Sequence, residues 1–346
     1  MRMLRGVLLA ALAVGATCGT AWAQQTTVRI GIARSTSNAA ELMALKNGYF
    51  KDFGIKLEWE DIDSTANVIA LLAQGRYHIV AGGISAGYFN ALEKNLPITI
   101  VADRVSSPIG HNLMLRPDLK DQIKTLKDLK GKVIASNGQG SVSTYEVGKM
   151  LEKHGLTIAD VELKILPFTQ MAVAFANKAI DAGILIPPFV YQIGEQKIAL
   201  PFASVDEQVE PQPMTIAVIM INTDWAKKNP EVVQNYFHAW LKGVRDFCQG
   251  YHGSAIRNAI VEELVKSGTE RRPELLHKYP WPARSPDGRI NVTSLLDIQA
   301  WYVKNKLANV ALPAERLVDT SYIDAAVQKL GPFELENKDS KLPGCR

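Results

Sequence analysis

The chain is short of cysteine, of long apolar runs and of charge concentrated in one place. It has three cysteines, Cys18, Cys248 and Cys345, in 346 residues. Its histidines, His78, His111, His154, His238, His252 and His277, lack metal-ligand spacing such as H-E-x-x-H. No serine stands in a G-x-S-x-G elbow, and the glycine-rich stretch 136–143 lacks the lysine of a phosphate-binding loop, which argues against nucleotide hydrolysis. The formal charge is +4 and is spread without a basic run, so nucleic-acid binding has no electrostatic footprint. No stretch reaches the roughly 20 apolar residues needed to span a bilayer. The expectation is therefore a binding function with no cofactor, no metal and no nucleic acid.

The N-terminus carries Arg2 and Arg5, an apolar run over 7–16 and the small-x-small triplet Ala21-Trp22-Ala23. This pattern predicts a secretory signal peptide over 1–23 and a soluble, exported mature chain. Cleavage after Ala23 would leave 323 residues with a formal charge of about +2, enough chain for two domains of ordinary size. Cys18 would leave with the signal. A lipid-attachment role for it is disfavoured by Thr17, which stands where such sites want a small Gly, Ala or Ser. Cys248 and Cys345 then remain, and an oxidising compartment permits them to pair; the sequence does not decide whether they do.

What is present is an alternation of β-rich and helical runs. Strands are expected over 28–33, 55–60, 78–81 and 97–102, with helices over 39–46, 66–75 and 85–94 between them. Strands separated by helices imply βαβ crossovers and parallel pairing. A second set follows a linker at 104–108, with strands over 111–115, 132–136, 161–166, 180–186 and 197–203. The two prolines of 209–213 then lead into an apolar strand over 215–221, where the chain is expected to cross back. From Pro230 onward the pattern turns helical. Val232, Val233, Tyr236, Phe237, Trp240, Leu241, Val244 and Phe247 recur at helix spacing, further helices are expected over 255–266, 292–306 and 322–329, and the tail 334–346 reads as exposed coil. The expected fold class is α/β: two Rossmann-like lobes with central mixed, mostly parallel sheets joined by a two-crossing hinge. The expected division is 24–105 plus 216–346 for the first lobe and 106–215 for the second.

Several stretches resemble a family pattern. Leu45-Lys46-Asn47-Gly48-Tyr49-Phe50-Lys51 followed by Gly54-Ile55 is similar to A-x-x-x-G-F-F-K-x-x-G-L, and the run from Ala70 to Ile79 to A-L-x-x-G-x-I-D with His78 in place of Asp. Leu126-Lys127-Asp128-Leu129-Lys130-Gly131-Lys132-Val133 matches D-L-K-G-K-x-V. Lys178-Ala179-Ile180-Asp181-Ala182 and Pro187-Pro188-Phe189 resemble G-x-I-D-A and an E-P-x turn, with the usual Gly and Glu missing. In this order, behind a leader, they resemble the periplasmic solute-binding proteins of ABC importers, of the nitrate, sulfonate, taurine and thiamine-precursor type. The resemblance implies the type II periplasmic-binding-protein fold, a monomer in the periplasm, a small-molecule ligand, and an ABC permease and ATPase as partners. Some proteins on this scaffold are enzymes, with a nucleophilic cleft cysteine or a cysteine-rich segment; neither feature is present, so the expectation is a protein that is not an enzyme.

Ligands of such sheets sit beyond the carboxyl ends of the strands, at helix N-termini. The first such loop holds Arg34, Ser35, Thr36 and Asn38, which could cap a helix or contact a ligand, with Arg34 a bidentate cation or a solvated surface group. Ser64 and Thr65 follow the second strand; Gly83 and Ser85 follow the third, where Gly82-Gly83 permits either a close backbone approach or a turn at positive φ. Arg104, at the first crossing, is a ligand cation or a hinge salt bridge. Asn137, Gly140, Ser141 and Ser143 form the stretch most like an anion nest. Pro188 and Phe189 end a buried strand and could present an aromatic face; His111 is the one histidine near the hinge. The expected ligand is a small organic acid or oxyanion. The alternatives are a neutral thiamine-precursor-like pyrimidine, or a sensor that reports ligand to a membrane kinase.

Overall fold

The structure is a computed structural model that describes residues 25–346. The expected leader and Cys18 lie outside the described residues. Among the described residues, ten strands form two five-stranded sheets. They are β1 (Thr26–Ala33), β2 (Ile55–Ile62), β3 (Ile79–Gly83), β4 (Ile98–Ser106), β5 (Asn112–Leu115), β6 (Val133–Ser136), β7 (Glu162–Ile165), β8 (Ala182–Leu185), β9 (Leu200–Ser204) and β10 (Thr215–Asn222). The first sheet has the order β2-β1-β3-β10-β4 and the second β7-β6-β8-β5-β9. β1 pairs parallel with β2 and β3, and β10 pairs antiparallel with β3 and β4. The second sheet repeats this plan, with β5 antiparallel between β8 and β9. Four of the five strands in each sheet therefore run one way, and one strand runs against them.

Every residue of β10 is buried, which is why its sequence TIAVIMIN reads as a continuous apolar run. On one face of the first sheet lies the 22-residue helix Pro230–Tyr251, whose Tyr236, Phe237, Trp240, Val244 and Phe247 are sealed against Ile30, Ile79, Ile219 and Ile221. A second cluster is continuous through both sheets, joining Val80, Ile100 and Met220 to Leu113, Ile134 and Ile184. No helix of the described residues is long and apolar enough to cross a membrane.

Two local expectations change. The helix expected over 66–75 is a 3-10 turn, Thr65–Asn67, followed by a short helix, Ile69–Ala73, because Ser64 turns its hydroxyl to the Ala66 N–H and Val68 leaves helical geometry at φ −122°. The tail is coil, yet it is not uniformly exposed: Cys345 is 1% exposed. The C-terminal segment also touches both sheets. Helix Val292–Lys304 packs Trp301 edge-on against Tyr145 at 5.7 Å and pairs Asp297 with Lys149 at 3.0 Å, while Tyr191 donates to the Pro280 carbonyl at 2.7 Å.

Candidate functional site

The loops that leave β1, β2 and β3 face those that leave β6 and β8, and an internal cavity lies between them. The first sheet supplies Ser35, Ser37, Ser64, Thr65, Gly82, Gly83, Arg104 and Ile216; the second supplies His111, Asn137, Ser141, Val142, Ser143, Phe168, Ile186 and Pro187. Water centres can occupy about 50 Å³ of it, several times the roughly 10–15 Å³ that one water requires. A compact ligand fits that space.

Eight of the fifteen expected contacts line this cavity: Ser35, Ser64, Thr65, Gly83, Arg104, Asn137, Ser141 and Ser143. The other seven do not, each for a visible reason. Arg34 turns to the surface, where Asp61 takes its Nε at 3.0 Å. Thr36 bridges the sheets instead, its N–H donating to the Pro187 carbonyl at 3.4 Å. Asn38 lies behind the wall and accepts from the Arg104 guanidinium. Ser85 pairs with Ser141 as an isolated bridge, and the Gly140 carbonyl accepts the Ala86 N–H at 2.8 Å, so both form the rim. Pro188 precedes the helix Phe189–Glu195, and Phe189 stacks on Phe168 at 5.7 Å, leaving Phe168 and Pro187 as the lining groups.

Arg104 makes a buried ion pair and also lines the cavity. Buried at the end of β4, it donates through Nε to Glu41 at 3.3 Å and through Nη2 to Asn38. Burial lowers its pKa while Glu41 raises it, so the charge is held by its partner. Glu41 is fixed in turn by the Trp240 indole N–H at 3.2 Å. The remaining Arg104 Nη1 has no hydrogen-bond partner among the described residues, and Arg104 lines the cavity. Opposite it stands His111, whose Nδ1 lies 2.8 Å from the fully buried Glu146. That contact places the Nδ1 proton toward the carboxylate and leaves Nε2 for the cavity side.

Backbone donors complete the wall. The N–H groups of Ser37, Val142 and Ser143 find no acceptor among the described residues, and the last two open the twelve-residue helix Val142–Lys153. The Asn137 Oδ1 is buried without a partner, an acceptor among these donors. Gly82 and Gly83 are not at positive φ; a Cβ on Gly82 would meet Thr65 Cγ2 at 2.8 Å, and one on Gly83 would meet Val142 Cγ1 at 2.7 Å. Close approach, not turn geometry, excludes side chains there.

Glu41 and Glu146 were not singled out in the sequence. Each lies three positions beyond a residue that the sequence did single out, Asn38 then Glu41 and Ser143 then Glu146, and that spacing puts each pair on one side of its helix. Pro282, from the loop that follows the helix Pro273–Lys278, had no sequence signal at all.

Residues 35–249 match the family model described as NMT1/THI5 like. The taurine-binding periplasmic protein of Escherichia coli K12 is 26% identical over 286 residues, covering 78% of this chain and 85% of that protein. Among solved structures, the alkanesulfonate-binding protein SsuA from Xanthomonas axonopodis pv. citri, bound to MOPS, superposes with a TM-score of 0.70 at 17% identity, over 86% of this chain and 99% of that one. The periplasmic nitrate-binding protein NrtA from Synechocystis PCC 6803 gives a TM-score of 0.70 at 14% identity, over 93% and 92%. These two structures share the fold. With its model matched over more than half of the chain, the protein belongs to the NMT1/THI5-like family.

Proposed function

We propose that this protein is the periplasmic solute-binding component of an ABC importer, and that it captures a small organic acid with an oxyanionic head, a sulfonate or carboxylate, between two lobes. The observation that carries the reading is the cationic N–H group left over by the fold: Arg104 Nη1, which has no hydrogen-bond partner among the described residues, in a wall that His111 of the other sheet completes. Free N–H groups at Ser37, Val142 and Ser143 add donors of the same sense. Phe168, Ile186, Pro187 and Ile216 make the rest of the wall apolar, which suits a short carbon stem better than a bare inorganic ion. Among the described residues, no Asp or Glu lines the cavity. The taurine-binding relative supports this ligand class, and its name supports a periplasmic protein.

Energetics agree with several direct contacts. Micromolar capture needs about 8 kcal/mol, helix termini supply about 0.3–1 kcal/mol each, and hydrogen bonds to charged groups about 1.5–3 kcal/mol each. Arg104 and three N–H donors reach that sum together, where dipoles alone do not. We assign the lobes as 24–105 with 216–346, and 106–215, with the contacts named above drawn from both.

A thermal-shift and calorimetric panel of taurine, ethanesulfonate, butanesulfonate, benzoate, nitrate and an aminopyrimidine tests the reading. A true ligand at 100 times its Kd adds about 2.7 kcal/mol of stability. The expected hit is a sulfonate or carboxylate, with affinity reduced about tenfold in His111→Ala and more in Arg104→Lys, which keeps the charge and loses the fork. A hit with the aminopyrimidine alone, or unchanged sulfonate affinity in both variants, overturns the anionic reading.

A further inference from the structure

Cys248 and Cys345 lie 97 positions apart in the chain, yet their sulfurs are 2.6 Å apart and both residues are buried. They are the two cysteines of the described residues. Cys248 sits in the last turns of the helix Pro230–Tyr251, and Cys345 is the penultimate residue of a coil tail. A coil of this kind, without an element of its own, needs specific partners to stay docked. It has them: His252 Nδ1 meets the Ser340 hydroxyl at 2.7 Å, Tyr251 donates to the Pro343 carbonyl at 2.6 Å, and the Cys345 N–H donates to the Arg284 carbonyl at 3.1 Å.

The place where the tail docks matters. Gly344 is packed so closely on Ala283 and Pro108 that a Cβ would stand 3.2 Å from Pro108 Cδ. Pro108 belongs to the first connection between the two sheets, and its carbonyl accepts the Ala283 N–H at 2.8 Å. Arg284 meanwhile reaches the other way and donates through Nη2 to the Ser37 carbonyl at 2.7 Å, in a residue that lines the cavity. Two sulfurs, the inter-sheet connection and the ligand loop are thus joined through Ala283 and Arg284.

We propose that Cys248 and Cys345 form a disulfide that straps the C-terminal tail over the connection between the lobes and holds the 281–285 loop behind the cavity. Two thiols become one S–S bond as two protons and two electrons leave; the electrons pass to an external disulfide, which departs as two thiols. A periplasmic location, part of the function proposed above, supplies oxidants of that class, but the pairing stands on geometry and is testable without any ligand.

The full chain is purified after export and, separately, unfolded with reductant and refolded by dilution into a couple of reduced and oxidised glutathione. After alkylation, peptide mapping by mass spectrometry should find the peptides of Cys248 and Cys345 linked in both preparations. Reduction should lower the thermal midpoint by roughly 5 °C or more, as expected for closing a loop of about 100 residues in a chain of this size, and should open the tail beyond Leu330 to carboxypeptidase. Cys345→Ser should reproduce both effects without reductant. Alkylated, unlinked Cys248 and Cys345 in the refolded chain overturn the disulfide; a linked pair whose reduction leaves tail digestion unchanged overturns the strap. A pair that links on refolding but is unlinked after export supports the disulfide and counts against the periplasmic assignment alone.

Discussion

At the scale of single residues, two buried groups give the fold opposing responses to pH. Asp103 in β4 is fully buried, and burial pushes its carboxyl up to about 6 even though the Ser285 N–H and the Ser106 hydroxyl donate to it. His78 stacks on Trp225 at 4.4 Å, accepts the Arg29 N–H, and burial lowers it to about 4. Between about pH 4 and 6 the folded chain holds a proton on Asp103 that the unfolded chain has lost, so this group's contribution falls as pH rises. Between about pH 4 and 6.5 the unfolded chain protonates His78 while the folded chain does not, so that contribution rises with pH. The Asp103 effect has an upper limit of about 3 kcal/mol, from 1.36 kcal/mol per pKa unit. The two offset each other in the native protein. Urea unfolding of wild type, Asp103→Asn and His78→Gln from pH 4.5 to 7 should separate them. Relative to wild type, Asp103→Asn gains stability as pH climbs and His78→Gln loses it; two difference curves that stay flat would show that neither proton is linked to folding.

At the scale of elements, helix packing sets a sharper constraint than helix propensity. Gly243, in the middle of Pro230–Tyr251, lies where the helix Ala39–Lys46 crosses it; a Cβ there would run into the Ala40 carbonyl and stand 2.8 Å from Ala44 Cβ. Gly→Ala inside a helix is worth about 1 kcal/mol, whereas overpacking costs about 1–3 kcal/mol and more against backbone. Gly243→Ala should therefore destabilise by about 2 kcal/mol, read as a lowered urea midpoint with an unchanged slope; a raised midpoint would mean that the crossing is loose. This helix was legible in the sequence because its apolar spacing is local, and the ten strands were legible for the same reason. The site was legible in part. Hydroxyl and glycine loops at strand ends mark themselves, but Arg34 and Arg104 look alike until Asp61 claims the first and Asn38 and Glu41 grip the second. His111 and Glu146 are 35 positions apart, and no local pattern announces their contact. Phe189 and Phe168 exchanged the role expected of the former because the helix Phe189–Glu195 turns the ring back onto its neighbour.

At the scale of the whole molecule, the cavity is closed by contacts that a ligand does not itself make. Ala86 N–H to Gly140 carbonyl, the Ser85–Ser141 bridge and Asn137 Nδ2 to the Asp63 carbonyl at 3.2 Å all cross between the sheets at the rim. An open form would lose these contacts, so a ligand shifts the balance by its preference for the closed one. Gly140 isolates this contribution, since it touches the opposite rim and does not line the cavity. It sits at φ +63°, and a Cβ would stand 3.0 Å from Ala86 Cβ. In Gly140→Val, the left-handed backbone costs about 1–2 kcal/mol in open and closed forms alike, while the clash with Ala86 falls on the closed form alone. The expected outcome is a modest loss of thermal stability together with a ten- to hundredfold weaker affinity for whichever acid the panel identifies, carried by faster dissociation in stopped-flow measurements. Gly140→Ala, with the smaller side chain, should fall between the two. If both variants bind that acid with wild-type dissociation rates, rim contact does not govern release, and the affinity resides in Arg104, His111 and the backbone donors they stand among.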